Sequence, residues 1–151
     1  MDNNDDLKII IGENNNLRAQ SRPVENFKDP NLKTLIKQMQ KTLANKNGIG
    51  LAAPQVGKPL QLFIIEIDYD KYVMINPKIK HLSKDKISME EGCLSFPNIY
   101  KNIKRSKKVT IHYFDENGEQ KKIKAKGLLA RAIQHEYDHL QGVIFLDRIK
   151  Q

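Results

Sequence analysis

The stretch QHEYDHLQG, Gln134 to Gly142, constrains this chain more than any other. Two histidines stand four apart, with a glutamate directly after the first. On a helix such residues stack on one face, so His135 and His139 can share one ion. Glu136 then lies about 100° around from His135, beside that ion rather than under it. A carboxylate placed there can act as general base toward a metal-activated water. The same pattern also arises on helices whose histidines are plain surface residues. Read as a metal site, it demands a helix here and a third ligand from elsewhere in the chain.

The third ligand decides the chemistry. One zinc-protease class takes a histidine six residues after the second; Gly142 is in its place, but the ligand position holds Phe145. Another takes a glutamate from a separate later helix. After His139 the sole acid is Asp147, too close for such a helix. His81 and His112 fall in predicted strands without supporting context and read as structural or exposed. Cys93 is the better candidate, since it follows Glu91 and Gly92 in a segment where glycine lets backbone come close to a ligand. A thiolate with two imidazoles leaves one tetrahedral position open, the catalytic rather than the structural arrangement. An inert reduced cysteine remains the competing reading on these grounds alone.

The rest of the sequence surrounds this helix with strands. DPNLKTLIKQMQKTLANKNG predicts a first helix, capped by Asp29, with Pro30 at its first position and Gly48 just beyond its end. Leu32, Leu35, Ile36, Met39 and Leu43 recur at helical spacing and face a core. GIGLAAPQVGKP is too rich in Gly and Pro for a helix interior. LQLFIIEI reads as a buried strand, and YVMINPKIKHL, KISMEEG, KKVTIHYFD and EQKKIKAKG as shorter ones, with DENGE as a hairpin turn. The second helix spans Leu128 to Gln141. Helix, strands, helix predicts an α+β fold with mostly antiparallel sheets around the HExxH helix and an N-terminal helix. The 151 residues fit one domain, 1–151.

Three segments occur in order: GIGLAAPQVG (Gly48 to Gly57), EGCLS (Glu91 to Ser95) and QHEYDHL (Gln134 to Leu140). Together they resemble the peptide deformylases, over most of the chain. The resemblance implies that family's fold and one divalent ion on Cys93, His135 and His139, with water in the fourth place. Fe²⁺ is the native ion it implies; Zn²⁺, Ni²⁺ or Co²⁺ fit the same ligands. It implies hydrolysis of the N-formyl group from the formylmethionine of nascent polypeptides, releasing formate. Water attacks the formyl carbon, and Glu136 is the general acid/base. The Gln55 side-chain amide and the Leu94 backbone N–H face the substrate carbonyl oxygen.

For the substrate, Gly48, Ile49 and Gly50 offer backbone groups to an extended peptide. Leu128, Arg131 and Ala132, with Ile49 and Met89, form a slot for methionine, the Arg131 stem lending its methylenes. Glu91 and Gly92 join the substrate-binding wall. Glu91 is expected to pair with Arg105, and Gln134 to hydrogen-bond near the cysteine loop.

The match departs in three places. Gly12-Glu13 stands where many members carry Pro-Asp, and Pro97-Asn98 where Pro-Gly is usual. The chain stops at FLDRIKQ, where longer members continue into a helix that some use at the ribosome, so only transient ribosome contact is expected. Net charge is +8, with a dense run KNIKRSKK, Lys101 to Lys108. Without interleaved aromatics or a nucleic-acid motif, it reads as a lysine-guarded strand edge rather than an RNA patch. No apolar run is long enough to span a membrane, and the opening MDNNDDLKII has no signal-peptide pattern. One cysteine suits a reducing compartment. The expectation is a cytoplasmic monomer without membrane or specific nucleic-acid partners.

Overall fold

A computed structural model describes residues 7–149. The acidic opening 1–6 and the last two residues lie outside the described residues. Helix α1 is a single turn, Asn15–Arg18, capped by the Asn14 side chain. Helix α2 runs Pro30–Asn45, as its cap and apolar spacing predict. The Asp29 carboxylate accepts from the Asn31 N–H at 2.9 Å, a cap that stabilises a helix by about 1 kcal/mol. The helix ends one residue earlier than the glycine suggests: Asn47, not Gly48, takes the left-handed conformation, with φ of 55°.

Among the described residues seven strands follow: β1 (Gly50–Ala52), β2 (Leu62–Ile67), β3 (Asp70–Leu82), β4 (Lys86–Cys93), β5 (Phe96–Ser106), β6 (Lys108–Phe114) and β7 (Gln120–Lys126). Helix α3, Gly127–Leu140, carries the HEYDH segment. The strands form two sheets, one of five in the order β1-β2-β3-β6-β7 and one of β4 and β5. All these strand pairings are antiparallel. The Asp115 N–H bonds the Glu119 carbonyl at 2.9 Å, closing the predicted hairpin turn.

The five-stranded sheet lies between the two long helices. Leu62 and Ile64 pack with Leu35, Ile36, Met39 and Leu43 of α2. Phe63 and Ile65 point the other way, into a cluster with Ala130, Ile133 and Leu140 of α3. A strand covered on both faces must be apolar at every position, which is why LFII lacks polar alternation. A third cluster of Leu17, Phe96, Ile103, Ile144 and Phe145 fills the space beneath the two-stranded sheet. There the Phe145 ring centroid lies 5.8 Å from that of His135. The chain leaves α3 through Gly142, at φ of 76°. A Cβ there would sit 2.2 Å from the Arg18 carbonyl oxygen, so only glycine fits the turn.

Two strands are missing from the sequence reading: β1, in the Gly- and Pro-rich segment, and the first half of β5. Phe96 to Tyr100 carries Pro97 and Asn98, which argue for a loop. Asn98 takes a φ of 66°, and the strand continues past it. The charged run from Lys101 falls within β5 up to Ser106 and enters β6 at Lys108.

Candidate metal centre

Three elements meet at the site: α3, the β4–β5 hairpin, and the segment from β1 through the 3₁₀ turn Ala53–Val56. Helix α3 is unusual in burying its polar residues. His135, Glu136, Asp138 and His139 are all buried, along with Arg131 and Gln134. Cys93 ends β4, and the chain turns through Leu94 and Ser95 before Phe96 pairs back with it. This turn sets the thiol over α3.

The ligand atoms of Cys93, His135 and His139 all lie within 4.8 Å of one another. Cys93 Sγ is 3.4 Å from His139 Nε2. Tetrahedral coordination with metal–sulfur of about 2.3 Å and metal–nitrogen of about 2.1 Å separates such donors by about 3.6 Å. The spacing therefore matches a shared ion. Two buried polar atoms beside this triangle, Glu136 Oε1 and His139 Nδ1, have no hydrogen-bond partner among the described residues. A thiolate and two imidazoles are soft and borderline donors, which suit first-row transition metals rather than calcium or magnesium. The residues fit a metal centre.

Around the donors is a buried ionic network. Glu91 Oε1 lies 2.9 Å from His135 Nδ1, fixing the ring so that Nε2 is the free donor. Arg105 donates to Glu91 at 2.7 and 3.1 Å, the pairing expected from sequence. Arg131 adds a second guanidinium to Glu91, and also donates to the Ile103 carbonyl at 3.0 Å and the Ile87 carbonyl at 2.7 Å. Arg131 borders the cavity, but its charge is committed to Glu91 and to backbone. Arg105 continues to Asp138 at 2.8 Å, and Arg148 meets Asp138 at 2.8 and 3.0 Å. Sequence reasoning missed Arg148 and Asp138; their i, i+10 separation carries no periodic signal. Gln134 is also corrected. It bonds the Ser106 N–H at 3.1 Å and the Ser106 carbonyl at 2.9 Å, tying α3 to the end of β5 rather than to the cysteine loop.

Burial and charge set the protonation of these groups. Burial alone would push Glu91 up, but hydrogen bonds from His135 and Arg105 outweigh it and hold its carboxyl at about 2. Burial opposes charge on His135 too, yet Cys93 and Glu91 raise it to about 10. His139 is driven well below its ordinary value by burial and by the charge on His135. A cation binding here competes with the His135 proton, so its affinity rises with pH. Burial pushes Glu136 up to about 7, where a carboxyl can both take and return a proton near neutrality.

Gln55 closes the near side. Its Oε1 accepts from the Ala52 N–H at 2.9 Å, which turns the amide nitrogen toward Ser95 Oγ at 3.1 Å and Cys93 Sγ at 3.5 Å. Gly50 touches Glu136 so closely that a Cβ would lie 2.5 Å from Oε2. This glycine is needed for the carboxylate, not only for an incoming chain. The backbone reading of the GIG segment is corrected in part. The Gly48 N–H caps α2 through the Leu43 carbonyl at 3.2 Å, and the Ile49 carbonyl accepts from Glu66 at 2.8 Å. The Gly48 N–H is thereby used up, and the Ile49 carbonyl has one of its two lone pairs engaged.

A cavity of about 710 Å³ opens onto the site. Gly48, Ile49, Gly50, Met89, Glu91, Gly92, Leu128, Arg131 and Ala132 all border it, as do Gln55, Leu94 and Glu136. His139, fully buried, sits behind it. The segment Leu7 to Ile11 supplies part of the wall, which sequence reasoning did not foresee. Its anchors are backbone N–H bonds from Leu7 to Thr42 Oγ1 and from Ile10 to the Gln55 carbonyl, both 2.8 Å, and from Gly12 to the Ser95 carbonyl at 2.7 Å. Those pairings leave no side-chain pattern to read.

Comparison with known proteins places this geometry. The family model described as polypeptide deformylase matches residues 6–151. A peptide deformylase of Microchaete diplosiphon is 52% identical over 126 residues, 80% of this chain and 67% of the relative. The crystal structure of peptide deformylase from Thermotoga maritima superposes with a TM-score of 0.92 at 40% identity, covering 95% of this chain and 97% of that one. A class I type b peptide deformylase from Acinetobacter baumannii, crystallised with Met-Ala-Ser bound, superposes with a TM-score of 0.92 at 31% identity, covering 95% and 98%. The chain belongs to the peptide deformylase family, enzymes that remove N-formyl groups from nascent peptides.

Proposed function

We propose that this chain hydrolyses the formamide of N-formylmethionyl peptides at a centre of Cys93, His135 and His139, with Glu136 as acid and base. The carrying observation is the convergence of those three donor atoms beside a buried carboxylate with an unpartnered oxygen. A divalent ion held there supplies Lewis acidity to water and to the formyl oxygen. Glu136 takes a proton from the water as its oxygen bonds to the formyl carbon. The Gln55 amide, already oriented by Ala52, and the Leu94 N–H donate to the formyl oxygen as it gains charge; one such donor stabilises that charge by about 3 kcal/mol. Glu136 then hands the proton to the departing nitrogen, giving formate and a free amine.

The methionine side chain fits between Ile49, Met89, Leu128 and Ala132, an apolar wall with Glu91 and Gly92 alongside. The Met-Ala-Ser bound to the Acinetobacter relative is the product that formyl-Met-Ala-Ser would give, which supports this substrate class. Strand β1 is an edge strand, so a peptide can extend the sheet beside it without selecting by side chain. We read 1–151 as one catalytic domain that acts as a monomer, since one chain supplies all three ligands. Fe²⁺ is our choice of native ion, with Zn²⁺, Ni²⁺ or Co²⁺ as substitutes. The place of action is the cytoplasm, with at most transient ribosome contact.

The test is formate release from formyl-Met-Ala-Ser by protein made without oxygen, with metal analysis and acetyl-Met-Ala-Ser as the contrasting substrate. Cys93→Ser should empty or weaken the centre, while Glu136→Ala should keep the metal and lose turnover. Normal deformylation by Glu136→Ala would overturn the mechanism.

A further inference from the structure

On β3, β6 and β7 the sheet has a second face, away from α3. Val109, Ile111 and Ala125 point toward α3 and are buried with it. The alternate positions point outward. Cross-strand partners share a face, so the register places Lys78 beside His112 and His112 beside Lys122, then Thr110 beside Lys124 and Lys108 beside Lys126. All five lysines are exposed. At one end this face forms a shallow cavity of about 500 Å³, bordered by Lys78, His112 and Lys122. Strands β6 and β7, KVTIHYF and QKKIKAK, contain no acidic residue. The nearby acids Asp115 and Glu119 are at the hairpin tip, where Lys121 lies 3.9 and 3.7 Å from them.

We propose that this lysine face docks the phosphate backbone of structured RNA, without reading its sequence. Guarding an edge explains lysines on β7, which is an edge strand. It does not explain Lys78, which extends the same row onto the interior strand β3. Alternate residues on a strand lie about 6.8 Å apart and neighbouring strands about 4.8 Å, so the charges form an array of rows and columns that can meet successive phosphates. A protein partner would need an apolar or aromatic anchor at the centre of the contact, and a membrane would need a side chain to insert. The face offers neither, since Phe114 at its end is committed to Phe27, ring centroids 5.4 Å apart. The site shares only Lys108 with the charged run Lys101 to Lys108 and is distinct from the catalytic cavity.

The experiment measures binding of a fluorescent RNA hairpin of arbitrary sequence by anisotropy at 50 and 200 mM salt. The triple variant Lys78→Glu, Lys122→Glu, Lys124→Glu is compared with Lys33→Glu, Lys37→Glu, Lys104→Glu, which changes net charge equally on exposed residues elsewhere. The first should weaken binding at least tenfold and lower the slope of log affinity on log salt by roughly 2–3. The second should stay within threefold of wild type. A milder triple, Lys→Gln at the same three face positions, should give an intermediate loss. Both Glu triples should keep the circular dichroism spectrum and the rate of formate release from formyl-Met-Ala-Ser. Equal losses in the two Glu triples, or no binding at 50 mM salt, would overturn the proposal. So would equal affinity for polyglutamate or phosphatidylserine vesicles with the same dependence on the face.

Discussion

Gly50→Ala isolates the placement of Glu136 from everything else in the site. The added Cβ would sit 2.5 Å from Oε2 and 2.9 Å from both Cδ and Cγ of Glu136, where ordinary contact begins at 3.4 Å. The carboxylate must therefore retreat by about 0.9 Å, the difference between those distances. It is the far end of a side chain, so it can move without unfolding the sheet. A misplacement of this size in a reacting group costs on the order of 100-fold in rate, about 2.7 kcal/mol of barrier. The expected outcome is a kcat for formyl-Met-Ala-Ser lowered about 100-fold, with metal content intact and a melting temperature within a few degrees of wild type. Steady-state formate release and metal analysis on one preparation test this. A kcat within threefold of wild type would show that Glu136 need not stay where it is. Lost metal would show that the glycine serves the ligands instead.

Glu91→Gln leaves two buried guanidiniums facing a neutral amide; it should destabilise the fold by about 3–5 kcal/mol in urea titrations and weaken metal binding by about 10–100-fold. Gly142→Ala forces a Cβ against the Arg18 carbonyl at a left-handed φ, so it should lower stability by more than 1 kcal/mol while the surviving folded protein keeps its kcat. Asp147 is held below its ordinary 3.8, chiefly by the hydrogen bond from Arg18. A depressed carboxyl contributes stability above the unfolded value and loses it as pH falls through the folded one. The stability gap between wild type and Arg18→Ala should thus be constant above about pH 5 and shrink below 3.8; a gap unchanged at pH 3 would refute the assignment. Chelation followed by competition with Zn²⁺ should give an affinity that rises with pH, since the ion displaces the His135 proton.

The candidate site was legible where chemistry sits at short spacing. His135, Glu136 and His139 lie within one helical turn, and Cys93 follows from the need for a third donor. Glu91 with Arg105 was readable because a carboxylate so near a thiolate needs a counter-charge. The second guanidinium on Glu91 was not, because Arg131 lies on the helix face expected to meet substrate. Asp138, Arg148 and the wall from Leu7 to Ile11 are joined by long-range packing and backbone bonds, for which side-chain pattern gives no signal. The fold was readable in its two long helices and in strands with clear apolar character, but not in the single turn α1 or in β1. The start of β5 was hidden because Pro97 and Asn98 carry loop chemistry into a strand.

The anchoring of residues 7 to 12 has a practical corollary. Their backbone bonds to α2, the 3₁₀ turn and the cysteine hairpin, while Leu7, Lys8, Ile9 and Ile11 border the cavity. A purification handle fused upstream is joined to a segment that walls the opening proposed for the peptide. Preparations with the handle removed, or placed at the other terminus, are the proper basis for comparing turnover and inhibitor affinity.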